Sequence, residues 1–191
     1  VLAMLGGRNV SLELIEEYRH KMGVDRPILV QYGEYLSGII HGDFGDSFRT
    51  SKPVVTELFL RFPATLELAF FGLLFAAIFG FGTGLIAAVR ADQPIDHAVR
   101  IFHIGSFAMP LFWFGLMLQV FLAVRLGWFP VAGRVGGRIA FTFQSITGFY
   151  LLDSLLSGDT KVMADIAKHL VLPSITLGFA LTGLLGRMSR A

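Results

Sequence analysis

An all-α, multi-pass membrane bundle is the fold class that the sequence predicts, and three observations carry it. From Thr65 to Val89 the chain runs for 25 residues with a single ionisable side chain, Glu67. At ~1.5 Å per residue such a helix reaches about 37 Å, enough to cross a hydrocarbon core of roughly 30 Å with some tilt. Two further apolar stretches, Ile101–Leu126 and Leu170–Gly186, follow it. Third, 54% of the 191 residues are hydrophobic and 16% charged, whereas soluble domains carry about a quarter charged residues. A buried helix of a soluble protein rarely runs so far without a charge on some face.

Taken in order, Val1–Leu5 is a short apolar run closed by Gly6 and Gly7, and it reads as the tail of a preceding helix. Ser11–Met22 reads as a solvated helix, its glutamates early and Arg19 and Lys21 late, the order a helix dipole favours. Asp25 as cap and Pro27 as opening residue start a second helix. Its Ile28, Leu29, Tyr32, Leu36, Ile39 and Ile40 recur at helical spacing and predict one buried face. His41–Pro53 is rich in turn formers, and Asp43 and Asp46 within it do not match EF-hand spacing. Pro53–Phe62 reads as a brief amphipathic helix ending at Pro63. The first span, residues 65–89, follows with Glu67 in its opening turn, where the dipole favours an anion. Gly80 and Gly84 form a GxxxG pair that suits close packing against another helix.

Residues 90–100 form a short polar connection. The second span, residues 101–126, holds Pro110 near its middle, which is expected to kink it and free a carbonyl. Trp128 and Phe129 suit the membrane interface at the start of a second non-membrane segment, residues 127–169. An apolar stripe through Val162 and Ile166 leads into the third span, residues 170–186, with Pro173 in its first turn, and residues 187–191 open a polar segment. Residues 90–100 and 187–191 hold four Lys and Arg in 16 positions; residues 1–64 and 125–168 hold twelve in 108. The denser side is expected in the cytoplasm, which puts residues 1–64 and 127–169 outside. No signal-peptide pattern opens the chain, so a span upstream of Val1 is expected to carry them across.

Composition also excludes. A formal charge of +2 with dispersed basic residues gives no nucleic-acid surface, and zero cysteines remove disulfides, thiolate metal sites and cysteine nucleophiles. No GxxxxGK[ST] pattern occurs, and GFGTG lies inside an apolar span without the phosphate-binding lysine, so the chain is expected to bind no ATP, cofactor or metal itself.

Six strings follow one another in order: MGVDRPILVQYGEYLSGIIHGDFGDSF, KPVVTELFLRFPATLEL, RIFHIGSFAMPLFWFGLML, WFPVAG, LLDSLLSG and HLVLPSITLGF. Together they resemble the successive signatures of the inner-membrane permease subunits of binding-protein-dependent ABC importers for dipeptides and oligopeptides. The resemblance implies six spans, an external segment after the first, and a cytoplasmic coupling helix that docks on an ATPase. It also implies a second homologous permease, two cytosolic ATPases that use ATP and Mg, an external substrate-binding protein and surrounding lipid. Solutes of families like this one include dipeptides, longer peptides, glutathione, nickel complexes and some sugars. No counterpart of the first span precedes Val1, and RMSRA stands where the coupling loop and last two spans would begin, so the chain reads as a fragment.

A permease performs no covalent chemistry, so its functional groups are polar residues within lipid and charges that meet partners. Glu67, His103, Pro110 and Gln119 are the translocation-path candidates; Gln119 suits either a link between helices or contact with a peptide backbone. Arg49, Lys52 and Asp153, read as exposed, are the candidates for steering a binding protein. His103 with Ser106 raises an intramembrane hydrolase as a rival, against which stand the absence of a GxSxG elbow and the habit of span serines to bond their own helix. A membrane-anchored interaction module and a non-functional remnant are two more rivals to the permease.

Overall fold

A computed structural model describes residues 25–47 and 49–190, together with Glu13, Glu16 and His20. The expected Ser11–Met22 helix and the Val1–Leu5 run otherwise lie outside the described residues. The chain divides into two compact units, Val1–Arg61 and Phe62–Ala191.

In the first unit, helix α1 spans Ile28–Ile40 and has Pro27 at its N-cap with no side-chain cap. The expected cap, Asp25, sits two residues too early to reach the free amides. It accepts a hydrogen bond from His20 Nδ1 at 2.5 Å instead, and that bond holds its carboxyl below the ordinary range. The predicted buried face of α1 is not buried: Ile28 and Leu29 are 79% and 81% exposed, and the helix has no buried residue. The chain turns back after His41, where the Asp43 amide donates to the Gly38 carbonyl, and among the described residues the apolar stripe stays uncovered. An isolated antiparallel bridge, Asp46 to Pro53, closes the following loop.

Helix α2 runs unbroken over Val54–Val89, so the brief helix and the first span are one element with Pro63 inside it. A proline removes one helical hydrogen bond, but long helix-forming flanks and packing hold the helix through it. Beyond it lie α3 (Pro94–Ala108), α4 (Leu111–Leu118) continuing as a π-helix over Gln119–Arg125, α5 (Gly137–Ala140), α6 (Tyr150–Ser157) and α7 (Thr160–Arg190). The polar connection is therefore shorter than expected. Arg90–Gln93 makes the turn, and Pro94 opens α3 in the position where its missing N–H costs nothing. Pro173 lies well inside α7 rather than in a first turn, because the amphipathic residues from Thr160 extend the helix backwards by ten positions.

By length and apolarity α2 and α7 can each cross a membrane, and α3 with α4 makes a third crossing only as a pair bent by 103°. Pro110 thus breaks the second span outright rather than kinking it.

The second unit is built around α7. Gly72, Ala76, Gly80, Gly84 and Ala87 are all buried along one stripe of α2. A Cβ at Gly72 would lie 2.8 Å from Leu177 Cδ2, and one at Gly84 would lie 2.6 Å from the Gly186 carbonyl oxygen. Small residues thus let the two helix backbones approach, as van der Waals packing in lipid requires. The elbow between α3 and α4 clasps α7 through Phe179, which stacks on Phe114 at 4.0 Å and meets Phe102 edge-on at 5.6 Å. Elsewhere α2 presents Phe70, Ile78 and Leu85, each more than 60% exposed, a surface that suits lipid and would aggregate in water.

Candidate functional site

Glu67 is 13 residues into α2, so the helix dipole does not account for it; long-range partners do. Its Oε2 accepts a 2.8 Å hydrogen bond from Arg134 Nη2, and its Oε1 accepts the Leu151 amide at 2.8 Å. Arg134 also donates to the Gly148 carbonyl at 3.0 Å, and its guanidinium lies 3.6 Å from the centre of the Tyr150 ring. Gly148, at φ +85°, lets the loop lie flat on Pro63: a Cβ there would come within 2.8 Å of the proline ring. The buried carboxylate therefore pins the 130–151 segment to α2.

His103 is buried on α3, its Nε2 2.8 Å from Thr83 Oγ1 on α2. Its ring fills the space a side chain at Gly186 would need, for a Cβ there would lie 2.1 Å away. Ser106 Oγ donates to the His103 backbone carbonyl at 3.0 Å and not to the ring, as a span serine is expected to do. The pair is not a nucleophile with its base. Thr83 follows Glu67 by sixteen residues, ~24 Å along the helix, so these two candidates sit near opposite ends of α2 and form no common site.

Gln119 and Pro110 belong to a third region. Leu111 and Gln119 line a cavity of about 460 Å³ between α2, α4 and α7, roofed by residues 130–133. Gln119 sits where α4 widens into the π-helix, and its Nε2 donates to the Val131 carbonyl at 2.5 Å. It holds a loop rather than a neighbouring helix. His169 and Thr176 of α7 face the same cavity.

Among the expected outer charges, Arg49 and Lys52 are exposed in the first unit, where Arg49 borders a shallow pocket with Glu34, Asp43 and Asp46. Asp153 is not exposed as expected: only 4% of it is accessible. Burial alone would raise its pKa. Bonds from Ser145 Oγ, Thr147 Oγ1 and the amides of Ile146 and Thr147 outweigh that and hold the carboxyl below its ordinary value. Arg134 and Asp165 carry no signal in the sequence that singles them out, and His169 is marked only by Pro173 four residues on. Asp165 takes the Gly136 amide at 2.6 Å, tying a second point of the glycine-rich loop to α7.

Two long apolar helices, a broken span clasping one of them, and polar groups satisfied by one another define a multi-pass helical membrane protein. The family model described as "Binding-prot-dependent transport system membrane comp, N-term" matches residues 2–69. The chain is 38% identical over 191 residues, all of its own length, to the di/tripeptide transport system permease protein DppB of Pseudomonas aeruginosa, and covers 56% of that relative. It is 40% identical over 188 residues, 98% of its length, to the probable D,D-dipeptide transport system permease protein DdpB of Escherichia coli, covering 55%. It is 36% identical over 160 residues, 82% of its length, to the putrescine export system permease protein SapB of Escherichia coli, covering 49%. Over its whole length the chain is thus similar to membrane permease components of peptide transport systems. It spans about half the length of the curated relatives it matches.

Proposed function

We propose that the chain forms part of the translocation path of a permease subunit in a peptide-class ABC importer of an inner membrane. The observation that carries this reading is identity of 38% along the whole chain to a relative named as a di/tripeptide permease. The geometry supports it: a helix broken by 103° and a partly polar cavity at the bundle end are features through which a solute path can form and move. In this reading residues 1–64 and 127–169 lie outside and residues 90–100 inside. A second homologous permease completes the path, an external binding protein delivers the solute, and two cytosolic ATPases supply energy from ATP and Mg. The chain itself, lacking a phosphate-binding loop motif, hydrolyses nothing. Arg49 and Lys52 meet the binding protein.

The test is uptake of labelled Gly-Gly into proteoliposomes holding the protein together with a second permease, the ATPases and the binding protein of a peptide importer. ATP-dependent accumulation of the dipeptide is expected. Putrescine movement without dipeptide movement, the activity named for one relative, would overturn the peptide reading.

A further inference from the structure

We infer that the cavity under residues 130–133 is a subsite for the backbone amide N–H of a passing peptide, with His169 Nε2 as its principal acceptor; this rests on the transport reading above.

The imidazole of His169 is only 5% exposed. Its Nδ1 lies 2.8 Å from the Asp165 carbonyl oxygen, which can only accept, so the proton sits on Nδ1. In the neutral imidazole Nε2 is then an acceptor, and among the described residues it has no donor.

The groups around it are of the same kind. Gln119 commits an N–H to Val131, which orients its amide and leaves Oε1 as an acceptor. Thr176 donates its hydroxyl proton to the Leu172 carbonyl at 2.8 Å and keeps its lone pairs. Pro173 has no N–H, so the His169 carbonyl lacks its ordinary helical donor.

No carboxylate, lysine or arginine lines the cavity. The Asp165 carboxylate stands behind the His169 ring, its Oδ2 3.6 Å from Nδ1. A neutral N–H would meet acceptors at His169, Gln119 and Thr176. The remaining wall is apolar, including Leu111, Leu172 and Leu177, and asks nothing specific of a side chain. Such a site recognises a group that peptides share and passes over what distinguishes them.

The experiment uses the complete transporter in nanodiscs with 15N-histidine, following the His169 Nε2 resonance while Gly-Gly, Gly-sarcosine or putrescine is added. Gly-sarcosine lacks the peptide N–H. Gly-Gly is expected to shift the resonance saturably, with Gly-sarcosine about tenfold weaker, the effect of one missing buried hydrogen bond. Gln119→Leu is expected to weaken Gly-Gly several-fold while the His103 resonance stays in place and reports an intact fold. No shift, equal shifts with both dipeptides, or a preference for putrescine would overturn the inference. Gly-Gly uptake persisting without the shift removes this subsite and leaves transport standing; a selective shift without uptake does the reverse.

Discussion

Replacing Glu67 by alanine tests whether one carboxylate holds the 130–151 segment on α2. The side chain is 5% exposed and accepts from Arg134 and from the Leu151 amide, each at 2.8 Å. Breaking a buried pair by removing one partner costs about 3–5 kcal/mol when the other charge stays buried. Arg134 is 31% exposed and keeps the Gly148 carbonyl and the Tyr150 ring, so water and these contacts relieve part of that cost. The orphaned Leu151 amide adds some back. A net loss of about 3 kcal/mol is expected for Glu67→Ala, and about half that for Glu67→Gln, which still accepts the Leu151 N–H. Equilibrium unfolding in mixed micelles, read by Trp128 fluorescence beside the segment, gives the single-variant values. A double-mutant cycle with Arg134→Leu isolates the pair. A coupling energy below about 0.5 kcal/mol would refute the anchoring role, since that is the size of ordinary additivity error.

The same geometry sets three further outcomes. Gly84→Ala and Gly186→Ala, where a Cβ would lie 1.9 Å from Ser189 Oγ and 2.1 Å from the His103 ring, should each destabilise by about 1–3 kcal/mol in the same unfolding assay. Gly82→Ala, with nothing within 4 Å, should be neutral or stabilising by up to about 1 kcal/mol, so equal losses at all three sites would contradict the seam. Because folding lowers the Asp153 pKa below 3.8, the unfolded state binds the proton more readily in that interval. Its contribution is therefore full above about pH 4 and is lost as pH falls through the folded value. Hydrogen exchange at Ile146 and Thr147 should accelerate over that window in the parent chain and be fast at every pH in Asp153→Ala. With no native cysteine to interfere, single cysteines at Lys52 and Thr142 should react with an impermeant maleimide in cells with permeabilised outer envelopes. One at Gln93 should react only after inner-membrane lysis; the opposite pattern would reverse the proposed orientation.

The spans are legible in the sequence because the hydrocarbon thickness is an external ruler that any apolar run can be held against. Their ends are not. Pro63 reads as a stop by its chemistry, yet α2 passes through it, since a helix of this length loses one hydrogen bond there and keeps the rest. Pro173 reads as an opening residue on the same chemistry, yet α7 begins at Thr160. Pro110 does stop its helix, and what differs is the surroundings: the aromatic clasp of Phe102 and Phe114 on Phe179 rewards the break.

The candidate site divides along a similar line. A lone acid within 25 apolar residues announces that it has a partner, and Glu67 is legible on that ground. Which partner is not: Arg134 lies 67 residues away in a glycine-rich loop with no local mark of pairing. Asp153 reads as a solvated charge because its donors, Ser145 and Thr147, are ordinary loop residues until the turn folds them inward. His169 does carry a sign, a proline four residues later that strips its carbonyl of a donor, though the sign has meaning only once α7 is known to extend back past it. Lone polar groups in apolar runs thus mark one end of a link, and only folding supplies the other. Glu67 finds its other end within this chain, whereas the Nε2 of His169 finds none among the described residues, and that difference separates an anchor from a place where a solute can bind.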